Sequence, residues 1–508
     1  MALLDSISKE AFARQRKLFL LIFVSFMGAV ALGAIAAQEP LLAIGGVLGA
    51  VLMLVLLRWP NTVTLLVIFY IYTNVGPVAT RFHGLPYFIT LGFPVILIVP
   101  LVWYFVLLRQ KPVITPVLIL LLMLFTIYMF GAAFSKDIQL ALPQLAEFFI
   151  EGLLLYFILT NIIRTPLMLK RVVWVLLISG ALIGGLSLFQ QVTRTFDNDY
   201  GGFAQVAGTI LTGVENLQGE IRQPRLMGSI GEQNRYAQNM LMLVPLGLLQ
   251  LWIYRSLRLR LLTLLLTGLI IVGGALTFSR GAAVGFVLMI LIMVFLRYVK
   301  IHQLMLLILG ASLILWAFPE YGPRLASLNV IAALASQENG PPLAGADNSV
   351  MDRSSLMIAA LMVFRDHPVV GVGPGMVRYY TQEYARQIGM SSITGDFQAH
   401  NLLLGIAADA GLFGLICFLL ILFIPLRDLA RVRKQWMESH PDWSYLATGF
   451  LQALFSYIVT GLFLHLSYYR FFYLMLALAV VASRLGEMHK VSESEDDLSS
   501  VQPNRNVE

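Results

Sequence analysis

Residues 400–426 read HNLLLGIAADAGLFGLICFLLILFIPL. Two polar residues, His400 and Asn401, open a run in which Asp409 is the one charged side chain before Arg427. At 1.5 Å per residue, about 20 residues of α-helix cross the hydrocarbon of a bilayer. A run this long and apolar is a membrane-spanning helix, and its polar opening lies at one membrane face. Arg427, Arg431, Arg433 and Lys434 follow the run. Lys and Arg collect in cytoplasmic loops, so His400 lies at the opposite, extracytoplasmic face.

The same pattern extends through the chain. Of its 508 residues, 58% are hydrophobic and 12% are charged. Mean hydropathy is +0.80. A soluble chain carries about twice that share of charge. Apolar runs recur from about residue 18 to about 484, and every second connection is basic. The expected fold is an all-α polytopic membrane protein with about 12–14 transmembrane helices. Both termini are then cytoplasmic, and long extracytoplasmic loops fall near 194–234 and 319–400. Residues 1–220 read as N-terminal helices with the first long loop, and 221–487 as the second membrane region. Residues 488–508, with Ser-Glu-Ser-Glu-Asp-Asp, read as a disordered cytoplasmic tail.

Charge and cysteine usage exclude several functions. The net charge of +7 sits in short loops and calls for membrane lipids, not nucleic acid. Cys417 is the sole cysteine, so there is no disulfide framework and no cysteine metal site. The histidines are scattered without ligand spacing, so neither a metal nor another cofactor is expected.

The few polar groups near the outer face carry the chemistry. Arg280 stands in Thr-Phe-Ser-Arg-Gly-Ala between two apolar runs. A cation at mid-membrane costs about 2.5–3.5 kcal/mol, and less where it snorkels to the surface. Arg280 reads either as a head-group anchor or as an anion site at a helix start. Arg353 opens an apolar helix in the second long loop, with Asn348 and Ser349 as caps, and reads as a phosphate holder or a solvated arginine. That helix, from Met351 to Arg365, lies along the membrane surface or packs on the bundle. Arg222, Arg225 and Arg235 form a basic group in and after the first long loop, while Arg378 and Arg386 carry no distinguishing spacing. His400 reads as a cap or as a general base, because a helix N-terminus favours the neutral imidazole. Asp409, nine residues on, lies more than one turn away, so no dyad is assumed. Gly371-x-Gly373-x-Gly375 follows no strand, so it is a turn against a ligand or helix and not a dinucleotide loop. Gly411 and Gly414 suit close helix packing. Glu147 and Glu151, one helical turn apart, read as functional, interfacial or interhelical.

Three pieces together resemble the O-antigen ligase and polymerase superfamily. They are Ser279-Arg280-Gly281, Arg353 followed by His367-Pro368-Val-Val-Gly371-Val-Gly373, and His400-Asn401 with Gly411 and Gly414. The likeness covers about 225–485, and Arg225-Leu-Met-Gly228 with Asn234 forms its leading edge. The resemblance implies an inverting, metal-independent membrane glycosyltransferase in the bacterial inner membrane, with its site on the extracytoplasmic face. The donor is a glycan on undecaprenyl pyrophosphate, and the acceptor is lipid A core, a growing glycan or a protein. In that reading His400, Arg280 and Arg353 are catalytic, while Arg225, Arg280, Arg353 and Asn401 bind substrate. The competing class is a small-anion transporter, which would show matching broken helices in two halves. The sequence shows no such symmetry.

Overall fold

The computed structural model describes residues 58–86, 93–207, 213–215, 221–299, 348–387, 398–466 and 469–501, with isolated positions at 56 and between 301 and 316. In 348–355, 385–387 and 490–501 only the backbone is described. The apolar runs expected before residue 58, and most of residues 300–347 in and before the second long loop, lie outside the described residues apart from isolated positions. The chain divides into two compact units, Met1–Val63 and Thr64–Glu508. The second unit holds both long loops and every candidate site residue.

The described elements are helical except for two short antiparallel ribbons. Helices α1 (Pro60–Thr73) and α2 (Val75–His83) meet at a bend of 55°. Then come α3 (Phe93–Val102), α4 (Pro116–Ala133), α5 (Ile138–Ile162) and α6 (Pro166–Thr193). The first long loop carries β1 (Gln205–Val206) paired with β4 (Leu226–Gly228), and β2 (Gly213–Glu215) paired with β3 (Ile221–Pro224). Helices α7 (Gln233–Ile253), α8 (Leu257–Ala275) and α9 (Arg280–Phe295) come next. The second long loop contains α10 (Asn348–Asp366) and α11 (Val377–Gln387). Helices α12 (Leu402–Gln435), α13 (Pro441–Gly461) and α14 (Tyr469–Val501) complete the chain. Among the described residues, 7 helices are long and apolar enough to cross a membrane, or 8 if the bent pair counts as one span. The all-α polytopic fold expected from the sequence is therefore observed. Helix α14 continues to Val501, past the point where the polar tail was expected to begin.

Local sequence explains the helix starts. Thr115 and Thr165 each precede a proline at the first helical position, and each hydroxyl accepts a backbone N–H, from Leu118 and Met168. The cap satisfies a donor that the helix cannot, and proline at that position sacrifices none. Burial then sorts the helices. The apolar windows of α7 and α14 are 83% buried, that of α8 only 22%, so α7 and α14 are central and α8 faces outward. Central α7 carries polar residues that find partners across the bundle. Gln238 donates to the Tyr457 carbonyl at 3.2 Å and to Thr460 Oγ1 at 2.9 Å, and Tyr236 shares a 2.9 Å bond with Ser187.

One ionic contact ties four segments. Helix α5 contains a wide π turn at Phe148–Leu154, and Glu151 within it is buried. The Arg470 guanidinium at the start of α14 meets Glu151 at 2.6 Å and donates to Asn74 Oδ1 at 2.8 Å. Asn74 forms the bend between α1 and α2 in the left-handed region, φ 61°, and its Nδ2 donates to the Ser229 carbonyl at 2.6 Å. The interhelical reading of Glu151 is thus the one observed.

Helix α12 is broken at Gly411, where φ is 66° and ψ is −165°. The chain after α10 fills the break. Leu412 N–H donates to the Pro368 carbonyl, while Val372 and Gly373 N–H groups donate to the carbonyls of Ala408 and Asp409. The Asp409 carboxylate accepts the N–H groups of Gly375 at 3.0 Å and Val377 at 3.2 Å. A Cβ on Gly371 would overlap the 408–410 backbone, and one on Gly411 would overlap the Val369 carbonyl. The Gly-x-Gly-x-Gly segment is therefore a turn against a helix. Helix α10 packs on the bundle: Ala360 and Val363 share a core with Val372, Met376, Tyr380 and Ala408. Tyr384 of α11 donates to Asp366 at 2.7 Å, and burial and that carboxylate push the Tyr384 hydroxyl up to about 12.

These contacts set two expectations for stability. Glu151→Ala or Arg470→Ala strands a buried charge and is expected to cost about 3–5 kcal/mol. The Glu151→Gln/Arg470→Gln double variant should unfold at a higher temperature in detergent than either single alanine variant. Gly411→Ala must displace backbone at a positive φ, so it should lower the unfolding midpoint more than Gly268→Ala, where an added Cβ meets nothing within 4 Å.

Candidate active site

The turn that leaves α13 gathers the starts of two other helices. Gly461 ends α13 against Leu402, the first residue of α12. One step on, the Leu462 carbonyl accepts from Asn401 Nδ2 at 3.0 Å. Phe463 lies on Gly281 of α9, 3.4 Å from where a Cβ would stand. The His465 ring then meets the His400 ring edge-on, with centroids 5.7 Å apart and planes at 78°. Glycine at 461 permits this approach, since an added Cβ would stand 2.9 Å from Leu402 Cδ2, whereas one at 281 would meet Phe463 in ordinary contact.

Asn401 fixes His400 from below. Its Oδ1 accepts the N–H groups of Leu403 and Leu404, both at 3.0 Å, so it is the N-cap of α12. Both polar ends of Asn401 are therefore engaged within the protein. His400 precedes the cap with φ 45°, a left-handed conformation that a side chain adopts only where surrounding contacts sustain it. The ring is half-buried beside the turn.

Arg280 is the first residue of α9, and Ser279 caps that helix by accepting Ala282 N–H. The preceding turn is held by Arg225. Its Nε donates to the Thr277 carbonyl at 2.9 Å and its Nη2 to Asn234 Oδ1 at 3.3 Å, while Leu226 N–H bonds the Leu276 carbonyl. Arg225 thus braces the segment that presents Arg280. Arg353 lies on α10, which packs against α12; its side chain, like that of Arg222, lies outside the described residues.

Three residues near the turn are not distinguished by sequence spacing. His465 feels Arg235 and Arg378 as well as His400. Arg235 is buried at the start of α7, 3.9 Å from Glu232, which caps that helix. Arg378 opens α11 and stacks over Tyr379 at 5.1 Å. Burial, then Arg235, His400 and Arg378, push the His465 imidazole well below its usual range, so it stays neutral. The signal available in the sequence is its placement: His465 directly follows an apolar run on the same expected face as His400. Among the described residues no group of three or more His, Cys, Asp or Glu side chains is arranged to hold a metal.

An imidazole beside guanidiniums at a helix start is chemically an acid–base group within an anion-attracting surface. The family model described as O-antigen ligase matches residues 262–419, a stretch that contains Arg280, Arg353 and His400. No curated protein matches the chain. Over residues 262–419 this multi-pass membrane protein is similar to the O-antigen ligase family.

Proposed function

We propose that the chain transfers a glycan from an undecaprenyl-pyrophosphate donor to an acceptor hydroxyl, at the extracytoplasmic face of the bacterial inner membrane. The observation that supports this reading is the convergence of the Arg280 and His400 helix starts on the 461–465 turn. His400 takes the proton of the acceptor hydroxyl. The hydroxyl oxygen bonds to the anomeric carbon as the bond from that carbon to the phosphate oxygen breaks. Undecaprenyl pyrophosphate leaves as an anion, and configuration inverts.

Charge placement supplies much of the catalysis in such a step. Negative charge develops on the departing pyrophosphate, where Arg280 and Arg353 with the N-terminal ends of α9 and α10 offer positive charge. With so good a leaving group no general acid or metal is required. A positioned base adds about 10²–10⁴ in rate. Arg225 and Asn401 contribute to substrate binding by holding Arg280 and His400 in place. The acceptor is lipid A core, a growing glycan or a protein, and it is the acceptor that separates ligase from polymerase chemistry.

Arg280→Ala and Arg353→Ala should each abolish surface glycan in a complemented deletion strain, with lipid-linked donor accumulating and the protein still inserted. Lysine should rescue only in part, because a point charge does not replace a bidentate fork. Normal glycan with either alanine variant at equal protein level would remove that arginine from the site.

His400→Ala should lose most transfer yet retain donor binding. The wild-type rate should fall as pH drops through imidazole protonation, since imidazolium cannot accept the hydroxyl proton. His400→Asn, which can still cap a helix, should remain inactive; near-normal turnover in that variant would make His400 a cap and not a base.

A further inference from the structure

Transfer with His400 as the base leaves one imidazole at the site unused. The His465 ring stands edge-on to that of His400, centroids 5.7 Å apart. Edge-to-face contact between rings is directional: it favours one relative orientation and resists rotation away from it. The backbone holds His400 at a defined point just before the α12 cap, and the ring beside it bears on which way the imidazole faces. The residue is half-buried, it precedes a helix instead of lying in one, and its φ of 45° is left-handed.

His465 is itself held firmly. The turn that carries it is bonded to Asn401 through the Leu462 carbonyl and is pressed on Gly281 through Phe463. Its Cβ lies 3.9 Å from where a Cβ on Gly405, in the first turn of α12, would stand. The charged groups facing it are Arg235 from α7, itself beside Glu232, and Arg378 from α11, with His400 from the α12 start. Burial and these cations keep the His465 ring from taking up a proton. What His465 offers His400 is a ring fixed in place beside it.

We propose that His465 is a positioning residue, whose ring holds the His400 imidazole edge-to-face and so sets the direction from which it meets the acceptor hydroxyl. This rests on the reading of His400 as the base. Mispositioning a catalytic group affects turnover more than ground-state binding, because alignment matters in the transition state.

The test uses the full-length protein in lipid nanodiscs, with an undecaprenyl-pyrophosphate-linked oligosaccharide as donor and a soluble core-glycan acceptor. His465→Ala should lower kcat by about tenfold or more while donor KM stays within about twofold. His465→Phe, which keeps a ring, should recover most of the turnover, and His465→Gln should not. The His400→Ala/His465→Ala double variant should be no slower than His400→Ala alone, because His465 acts through His400. Wild-type kcat in His465→Ala, a rise in KM alone, or additive losses in the double variant would overturn the assignment. If His465→Ala fails to fold, equal turnover by the Phe and Gln variants overturns it, and a Phe variant well above Gln sustains it. Full turnover in His400→Ala would instead remove the base reading, and this inference with it. Absence of transfer by folded wild-type protein would remove the proposed reaction.

Discussion

A carboxylate and a guanidinium buried together set the frame on which the candidate site is built. Neither Glu151 nor Arg470 is tolerable alone inside a bundle that excludes water, since a lone buried ion loses its hydration without return. Paired at 2.6 Å, they fix the start of α14 against the π turn of α5. Asn74 extends the contact to the α1–α2 bend, and through the Ser229 carbonyl to the first long loop. The polar cost of burial thus becomes a source of specificity, because a shifted register of these helices would separate the two charges.

From that frame the site is built by capping and close approach. Three helix starts near it carry polar caps: Glu232 for α7, Ser279 for α9 and Asn401 for α12. A cap determines where a helix begins and therefore where the residue beside it points. Arg235, Arg280 and His400 each sit close to such a cap. The Gly411 break in α12 has a related role. It frees backbone groups within the helix, and the 368–373 segment occupies them, which seats the chain after α10 on the bundle. Asp409 is engaged by the Gly375 and Val377 N–H groups, so it is an anchor for the loop and not a partner of His400.

The electrostatic character of the site follows from the same geometry. Beyond burial, cations from α7 and α11 act on His465 together with His400, so the His465 imidazole resists protonation. These are conditions for chemistry in which an anionic leaving group is the product.

Much of this is legible in the amino-acid order because it is local. Span positions follow from runs of apolar residues, and helix starts from Thr-Pro, Ser279 and Asn401, all read within a few positions along the chain. The tight junction at Ser279-Arg280 and the turn at Gly371–Gly375 are legible for the same reason. The pairing of Glu151 with Arg470 is not, since 319 positions separate them and neither has a telling neighbour. Nor is the division of roles among the arginines: Arg225 braces the 276–279 turn while Arg235 faces His465, although sequence order places both in one basic group. His465 carries no motif at all; only the packing of α13 on α12 brings its ring to His400. Local sequence determines where helices begin and which groups are charged. Which of those groups meet depends on contacts between distant segments, and these the tertiary structure alone decides.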